Sequence, residues 1–391
     1  MSDFDRIHDR RGTYCTQWDY VQDRFGVSDL LPFTISDTDF AAPDCVQDAI
    51  QKRIQHPVYG YTRWNHEDFK ESVVNWYKRR FQLSIDPDGI VYSPSVMYTA
   101  SQLIASQSAP GDGVVVQTPG YDAFFKVIEG NQRRIIENPL IYDNGQYYID
   151  FEHLVACLKE PKNKVLLFCS PHNPTGRVWT VDELEIVYQL CQKHNVYLIS
   201  DEIHMDVLRQ GVIHHPLMEI GTEGIAVITS ASKTFNIPSL IFSYAFILDE
   251  SIREDFLYRL KNKDGLSSAS CLGLEATMAS YRGGSTWVDE LNTYIQVNEQ
   301  IVDQYLAKNL PEIYRVPANA SYLLWLDISQ LSYSMDQIQK GLVHKGRVAI
   351  MDGRVYRGNG GQFLRLNIGC PKKKLEEGLE RMLVGIKGIE E

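Results

Sequence analysis

The chain of 391 residues has no C-x-x-C pair among its seven cysteines, and their number is odd. That leaves neither a paired-thiolate zinc site nor a disulfide framework to build on. Cysteines set in apolar runs, such as Cys169 at the end of KVLLFC (164–169), read instead as small core residues. No apolar run approaches the ~20 residues that a membrane helix needs. Residues 1–11 are charged and carry no apolar stretch of the secretory kind. Low-complexity tracts, long linkers and internal repeats are also missing. Positive charge is in deficit, with 39 Lys and Arg against 50 Asp and Glu for a net −11. Such a balance opposes binding to the phosphates of nucleic acids or to anionic membrane surfaces. These absences predict a reduced, cytoplasmic globular protein that binds neither nucleic acid nor membrane, long enough for roughly two to three domains.

What the sequence does contain is a recurring unit: a short apolar run, then Gly, Pro or polar residues, then a helical pattern. The clearest runs are GVVVQ (113–117), KVLLFC (164–169), VYLIS (196–200) and IAVITS (225–230). Their unbroken hydrophobicity suits strands covered on both faces, as in a parallel sheet under helices. Thr180 and Glu183 form a capping-box pattern ahead of a helix over 184–194, and 151–158 and 98–108 are also helical in pattern. Alternating strand and helix predicts an α/β domain over 48–285. From 286 to 391 the pattern changes: a long helix over 292–309, a strand over 322–326, a helix over 335–344, a strand at 363–367 and a final helix over 373–386. That is a smaller α+β domain, to which the N-terminal segment 1–47 is expected to belong.

In doubly wound sheets ligands gather at the carboxyl ends of the strands, so the residues after each run carry the information. SPHNPTG (170–176) follows the second run, DEIHMD (201–206) the third and ASKTFNIP (231–238) the fourth. Each string alone has an ordinary explanation: a Pro/Gly turn, an acidic helix start, a solvated lysine. Together they put Asn173, Asp201 and Lys233 after successive buried strands, roughly thirty residues apart, which is one strand–helix unit. All three can converge on one rim. Small and hydroxyl residues around Lys233 leave room for a bulky group and offer donors to a phosphate.

With NPTG (173–176), DEIHMD (201–206) and SASKTFN (230–236), the chain resembles the fold-type I enzymes that use pyridoxal 5′-phosphate (PLP). The resemblance implies an α/β, aminotransferase-like fold, with a mainly parallel seven-stranded sheet flanked by helices in a large PLP-binding domain. It also implies a catalytic group of Lys233, Asp201 and Tyr121. Lys233 would carry the cofactor and later move a proton at the substrate's α-carbon. Asp201 would keep the pyridine nitrogen protonated, which makes the ring an electron sink. Asn173 would bond the ring O3′; many relatives share that bond with a tyrosine, whose place here is taken by His204. Ser95, Val96 and Met97, in SPSVM (93–97), would cradle the phosphate at a helix N-terminus, with Ser230 and Ser232 adding hydroxyls. Relatives that pair the phosphate with an arginine a short way beyond the lysine differ from this chain, which has LIFS (240–243) there. Tyr121 would stack on the ring. Arg365 would take the substrate α-carboxylate in a two-bond fork, the plainer alternative being a structural ion pair.

Further strings narrow the resemblance: CTQWD (15–19), LPFTISD (31–37) with Asp39 and Phe40, YGYTR (59–63), SDEIH (200–204) and KTFNIP (233–238). Over nearly its whole length the chain is similar to the MalY/PatB type of carbon–sulfur β-lyase. The implied reaction is α,β-elimination from cystathionine or related S-substituted cysteines, giving thiol, pyruvate and ammonia, with Lys233 serving both proton transfers. Tyr59 and Asp37 join Arg365 on the expected substrate side. Tyr59 or Tyr61 would reach the phosphate or active site of a neighbouring subunit, which implies a homodimer; a Tyr/Gly turn in the core is the alternative. Two other readings share these motifs: a class I/II aminotransferase, and a MalY-like regulator that binds a transcriptional activator, alone or alongside lyase activity. His204, His214 and His215 match no zinc-ligand spacing, so no metal is expected.

Overall fold

Short buried runs of branched residues decide where the strands form. β1 (Leu31–Phe33) is followed by β2 (Ile90–Ser93), β3 (Gly113–Thr118) and β4 (Arg134–Pro139). A hairpin of β5 (Ile141–Asp143) and β6 (Gln146–Tyr148) precedes β7 (Asn163–Cys169), β8 (Tyr197–Asp201), β9 (Ile225–Thr229) and β10 (Ser243–Phe246). The C-terminal part adds β11 (Tyr314–Arg315), β12 (Leu323–Asp327), β13 (Val348–Asp352) and β14 (Phe363–Asn367). The computed structural model describes residues 2–389; residue 1 and residues 390–391, the outer ends of the expected first and last segments, lie outside that range.

Seven strands form one sheet in the order β2-β10-β9-β8-β7-β3-β4. Only β10 is reversed, antiparallel to both its neighbours, while the β3–β4, β3–β7, β7–β8 and β8–β9 pairs are parallel. This is the mainly parallel seven-stranded sheet implied by the resemblance. Every residue of β3, β8 and β9 is buried, as is all of β7 except Lys164. Each fully buried Val, Leu or Ile contributes about 1.5–3 kcal/mol of apolar burial, so these strands anchor the core.

The helices between the strands begin close to the expected positions, at Val96–Gln107, Phe151–Lys159 and Val181–His194. The capping box is present: Thr180 Oγ1 accepts from the Glu183 N–H at 3.2 Å, and Glu183 accepts from the Thr180 N–H at 2.8 Å. The helix expected over 292–309 starts earlier, spanning Ser285–Asn309. Trp287, Val288 and Leu291 are buried and carry the apolar stripe of Ile295, Val302 and Leu306 back toward the N-terminus. The helix expected over 335–344 is regular only at Met335–Lys340 and continues as a π turn over Gly341–Gly346.

A second, five-stranded sheet runs β1-β13-β14-β12-β11. β1 pairs parallel with β13, so Leu31–Phe33 near the start of the chain lie beside Val348–Ile350 near its end. The terminal helix Lys372–Lys387 covers β1 closely: a Cβ on Gly378 would come within 2.2 Å of the Phe33 ring. Among the described residues no helix is long and apolar enough to cross a membrane.

Thr180→Ala removes one partner of the capping box and is expected to lower the unfolding free energy by about 1 kcal/mol. An earlier midpoint in urea denaturation would show it, whereas an unchanged midpoint would mean that the cap contributes nothing here.

Candidate active site

β7, β8 and β9 lie side by side, and their register sets Cys169 opposite Asp201 and Asp201 opposite Ile228. Because the strands end level, the segments that follow them open into one cavity of about 390 Å³. Its wall brings together Ser95, Val96, Met97, Tyr121, Asn173, Asp201, His204, Ser230, Ser232 and Lys233 from distant parts of the chain.

Lys233 follows β9, and its Nζ donates to the Ser36 carbonyl at 2.6 Å. Burial pushes the amine down to about 8; the Arg365 cation works in the same direction, and Asp37 and Asp201 oppose it. Asp201 closes β8. Burial pushes its carboxyl up to about 7, with the Ile203 N–H and the Lys233 charge opposing and Glu202 adding to the rise. Among the described residues its side chain accepts one hydrogen bond, from the Ile203 N–H at 3.1 Å. A carboxyl in a dry pocket with so little support calls for a cation or an N–H donor opposite it.

His204 is buried, and desolvation, together with the Lys233 and Arg365 charges, pushes it down to about 3. The ring is therefore neutral at physiological pH, and its Nδ1 has no hydrogen-bond partner among the described residues. Asn173 Oδ1 accepts from Arg365 Nη1 at 3.2 Å. Arg365 Nη2 donates to the Thr34 carbonyl at 2.8 Å, and the guanidinium lies 5.0 Å from the Tyr356 ring centroid. Its Nε is unpartnered, and among the described residues no acidic side chain forms an ion pair with it. A buried guanidinium without a carboxylate is poised to receive one.

At the other end of the cavity the helix Val96–Gln107 begins. Ser95 Oγ caps it by accepting from the Tyr98 N–H at 3.1 Å, which leaves the N–H groups of Val96 and Met97 without helical acceptors. Ser230 is less free than its hydroxyl suggested: Oγ donates to the Phe242 carbonyl at 2.7 Å and accepts from the Ser232 N–H at 3.1 Å. The Ser232 hydroxyl makes no hydrogen bond among the described residues and lines the cavity. An anion at this helix end would meet backbone N–H groups and one free hydroxyl.

The aminotransferase class I and II family matches residues 28–382. Protein MalY of Escherichia coli (strain K12) is 44% identical over 390 residues, covering 100% of both chains. Cystathionine beta-lyase PatB of Bacillus subtilis (strain 168) is 37% identical over 382 residues, covering 97% of this chain and 98% of that one. The crystal structure of cystalysin from Treponema denticola, which contains a pyridoxal 5′-phosphate cofactor, superposes with a TM-score of 0.94 at 32% identity, covering 99% of each chain. This chain belongs to the aminotransferase class I and II family, in its MalY/PatB branch.

Other expected residues of this MalY/PatB-type chain lie off the cavity wall. The Asp37 carboxylate is held by Arg10 Nη2 at 2.7 Å, and reaches Lys233 only through its charge. The Tyr59 hydroxyl donates to the Ile54 carbonyl at 3.2 Å, with Arg53 over the ring at 5.4 Å. Tyr61 is 100% exposed. Within one chain neither tyrosine enters the site.

The structure adds residues that the sequence did not single out. Ser36 lines the cavity through the loop after β1, and the buried Tyr322 hydroxyl lies 3.0 Å from its carbonyl oxygen and 3.5 Å from that of Lys233. Tyr322 sits in a strand-like stretch, where its pattern marks it as core and nothing more. Asp206 Oδ2 accepts from Thr234 Oγ1 at 3.3 Å, tying the loop after β8 to the loop that carries Lys233. Ile241 lines the cavity with φ at 51°, a left-handed conformation rare for a β-branched side chain.

In the chain without bound cofactor, Lys233 should be trapped by a small aldehyde and borohydride, with half-maximal labelling near pH 8 where the amine loses its proton. Mass mapping of the labelled peptide against pH reads this directly; labelling that begins only near the ordinary lysine range would contradict the burial argument.

Proposed function

We propose that this chain is a PLP-dependent carbon–sulfur β-lyase, cleaving cystathionine or related S-substituted cysteines to a thiol, pyruvate and ammonia. The observation that carries the reading is the shared cavity of Lys233 and Asp201, a buried amine lowered to about 8 and a buried carboxyl raised to about 7. The cofactor in cystalysin and the lyase name of PatB support the choice of group and reaction.

The residues fit the group. The under-supported Asp201 carboxyl suits its ring nitrogen, and the free His204 Nδ1 and Asn173 suit its phenolic oxygen. Tyr121 on the wall suits the ring face, and Val96, Met97 and Ser232 suit its phosphate. Lys233 would hold its aldehyde carbon. When bound, the cofactor supplies an electron-withdrawing ring that stabilises negative charge at the substrate's α-carbon. Arg365 orients the amino acid by its α-carboxylate, which places the α-proton toward Lys233. Among the lining residues only Lys233 has both a free amine and a proton affinity near neutrality, so Nζ takes the α-proton and returns a proton to the departing sulfur. The balance is one S-substituted cysteine and one water in, one thiol, one pyruvate and one ammonium out.

The reading includes a homodimer in which Tyr59 or Tyr61 crosses to the neighbouring subunit's site. The exposed side chains of Ile54, Val58, Tyr59 and Tyr61, close together in the chain, support such an interface. It also includes the division into 1–47 with 286–391 as the small domain around 48–285, which the β1–β13 pairing supports. A cytoplasmic location and a regulatory contact with a transcriptional activator belong to the same reading, the latter resting on the resemblance to MalY-type proteins.

Incubated with cystathionine and no keto acid, the purified protein is expected to release pyruvate and ammonia catalytically. Product that appears only after a keto acid is added would identify an aminotransferase instead. Lys233→Ala abolishes turnover and removes the cofactor's lysine-dependent visible absorption band; a band that persists unchanged would sink the role of Lys233. For Arg365→Ala, losing a charge-assisted hydrogen-bond pair worth about 1.5–3 kcal/mol lowers kcat/KM by roughly ten- to a hundredfold, chiefly through KM.

A further inference from the structure

We infer that Arg24 binds a carboxylate on the departing thiol half of the substrate, so that S-carboxyalkyl cysteines are preferred over uncharged S-alkyl cysteines. The inference rests on the β-lyase reading and extends it to the part of the substrate that leaves.

Arg24 lies in the short helix Val21–Phe25, which ends at Gly26 with φ at 70°. Its Nη1 is 3.1 Å from Met351 Sδ, and a thioether is a weak acceptor. Among the described residues no acid forms an ion pair with it, so most of its N–H groups are free. Met351 sits directly across from Arg365 in the β13–β14 pairing, and cross-strand partners project from the same face of a sheet. Arg24 therefore stands one side chain beyond the guanidinium to which the α-carboxylate is assigned.

Two further cavities meet at Arg24. One, of about 400 Å³, has Thr34 and Ile35 in its wall, and the next residue, Ser36, lines the main cavity. The other, of about 490 Å³, has Met351 and Asp122 in its wall, and Asp122 follows Tyr121 of the main cavity. Arg24 lines both, so it stands beside two of the chain segments that also contribute to the main cavity's wall. The Tyr356 hydroxyl is within charge range of Arg365, Asp122, Tyr121 and Arg24 together, consistent with this closeness.

The neighbouring acids do not satisfy Arg24. Asp122 is bound to Lys126 at 2.6 Å and Asp352 to Arg354 at 2.6 Å, while Asp23 lines only the smaller of the two cavities. A free guanidinium receives a carboxylate through two parallel hydrogen bonds, a geometry that an alkyl group cannot use. The substrate's two ends are thereby read by two arginines on one face, Arg365 for the amino acid and Arg24 for the thiol.

S-(2-carboxyethyl)cysteine and S-propylcysteine have side chains of equal length and release similar alkyl thiols, so they differ mainly in the charge offered to Arg24. The wild type is expected to favour the first by kcat/KM, and Arg24→Gln to lose about tenfold on the acid substrate relative to the alkyl one, through KM. Arg24→Lys keeps part of the preference. Equal kcat/KM on both substrates in the wild type, or equal losses on both in Arg24→Gln, overturns the inference. Calorimetric binding of the two compounds to Lys233→Ala, with and without Arg24→Gln, reads the preference without turnover. An inactive wild type whose lysine variant still shows an Arg24-dependent preference therefore overturns the lyase reading and supports this one, and equal affinities overturn the Arg24 assignment.

Discussion

Two ionisable groups are held out of water at the carboxyl edge of the large sheet, and the surrounding structure follows from that constraint. Asp201 ends a strand whose every residue is buried, and Lys233 stands on the loop after the adjacent strand. Desolvation moves both toward neutrality, the carboxyl up to about 7 and the amine down to about 8. In water each would be fully charged at neutral pH and indifferent to the other. In the cavity burial raises the carboxyl and lowers the amine, so their proton affinities approach each other, as in sites that do acid–base chemistry.

Holding them there takes contacts from both sheets. Thr38 N donates to Asn236 Oδ1, and Asn236 Nδ2 donates to the carbonyls of Thr38 and Phe40, so the N-terminal segment is fastened to the lysine loop. Tyr322, just before β12, and Arg365, in β14, reach the same place from the five-stranded sheet. The N-terminal segment is itself secured by Asp39. Burial would raise this carboxyl, but Lys374, the Trp18 indole and Arg10 outweigh that and hold it below the usual range. Lys374 Nζ sits 2.5 Å from Asp39 Oδ2 and over the Trp18 and Phe33 rings, so the pair is enclosed by aromatic carbon. Removing one member would strand the other's charge in that enclosure.

Much of the architecture was legible because parallel strands buried on both faces leave an unmistakable run of branched residues. β3, β7, β8 and β9 begin and end within a residue or two of the runs that announced them, and the Thr180 cap is where its pattern put it. β2 and β10 did not stand out. Each is a four-residue run, and they become strands by pairing with one another although residues 94–242 separate them in the chain. The gathering of Asn173, Asp201 and Lys233 was visible for the same reason as the strands: each follows one. Ser36 and Tyr322 carry no such marker, because a backbone carbonyl and a core tyrosine look alike wherever they fall.

By itself the sequence determined which side chains could do chemistry and on which strand ends they stand, since local periodicity encodes the strands and the spacing encodes the rim. It also settled His204 three residues after Asp201, and the lack of an arginine in LIFS (240–243). Only the tertiary structure decided which of those groups are free. Ser230 is committed to the Phe242 carbonyl while Ser232 is not, and among the described residues no acid pairs with the buried Arg365. Arg24, from the N-terminal segment, meets a sulfur on β13. Hydrogen-bond partnership and desolvation are properties of neighbours brought together across hundreds of residues, and no local pattern in the chain records them.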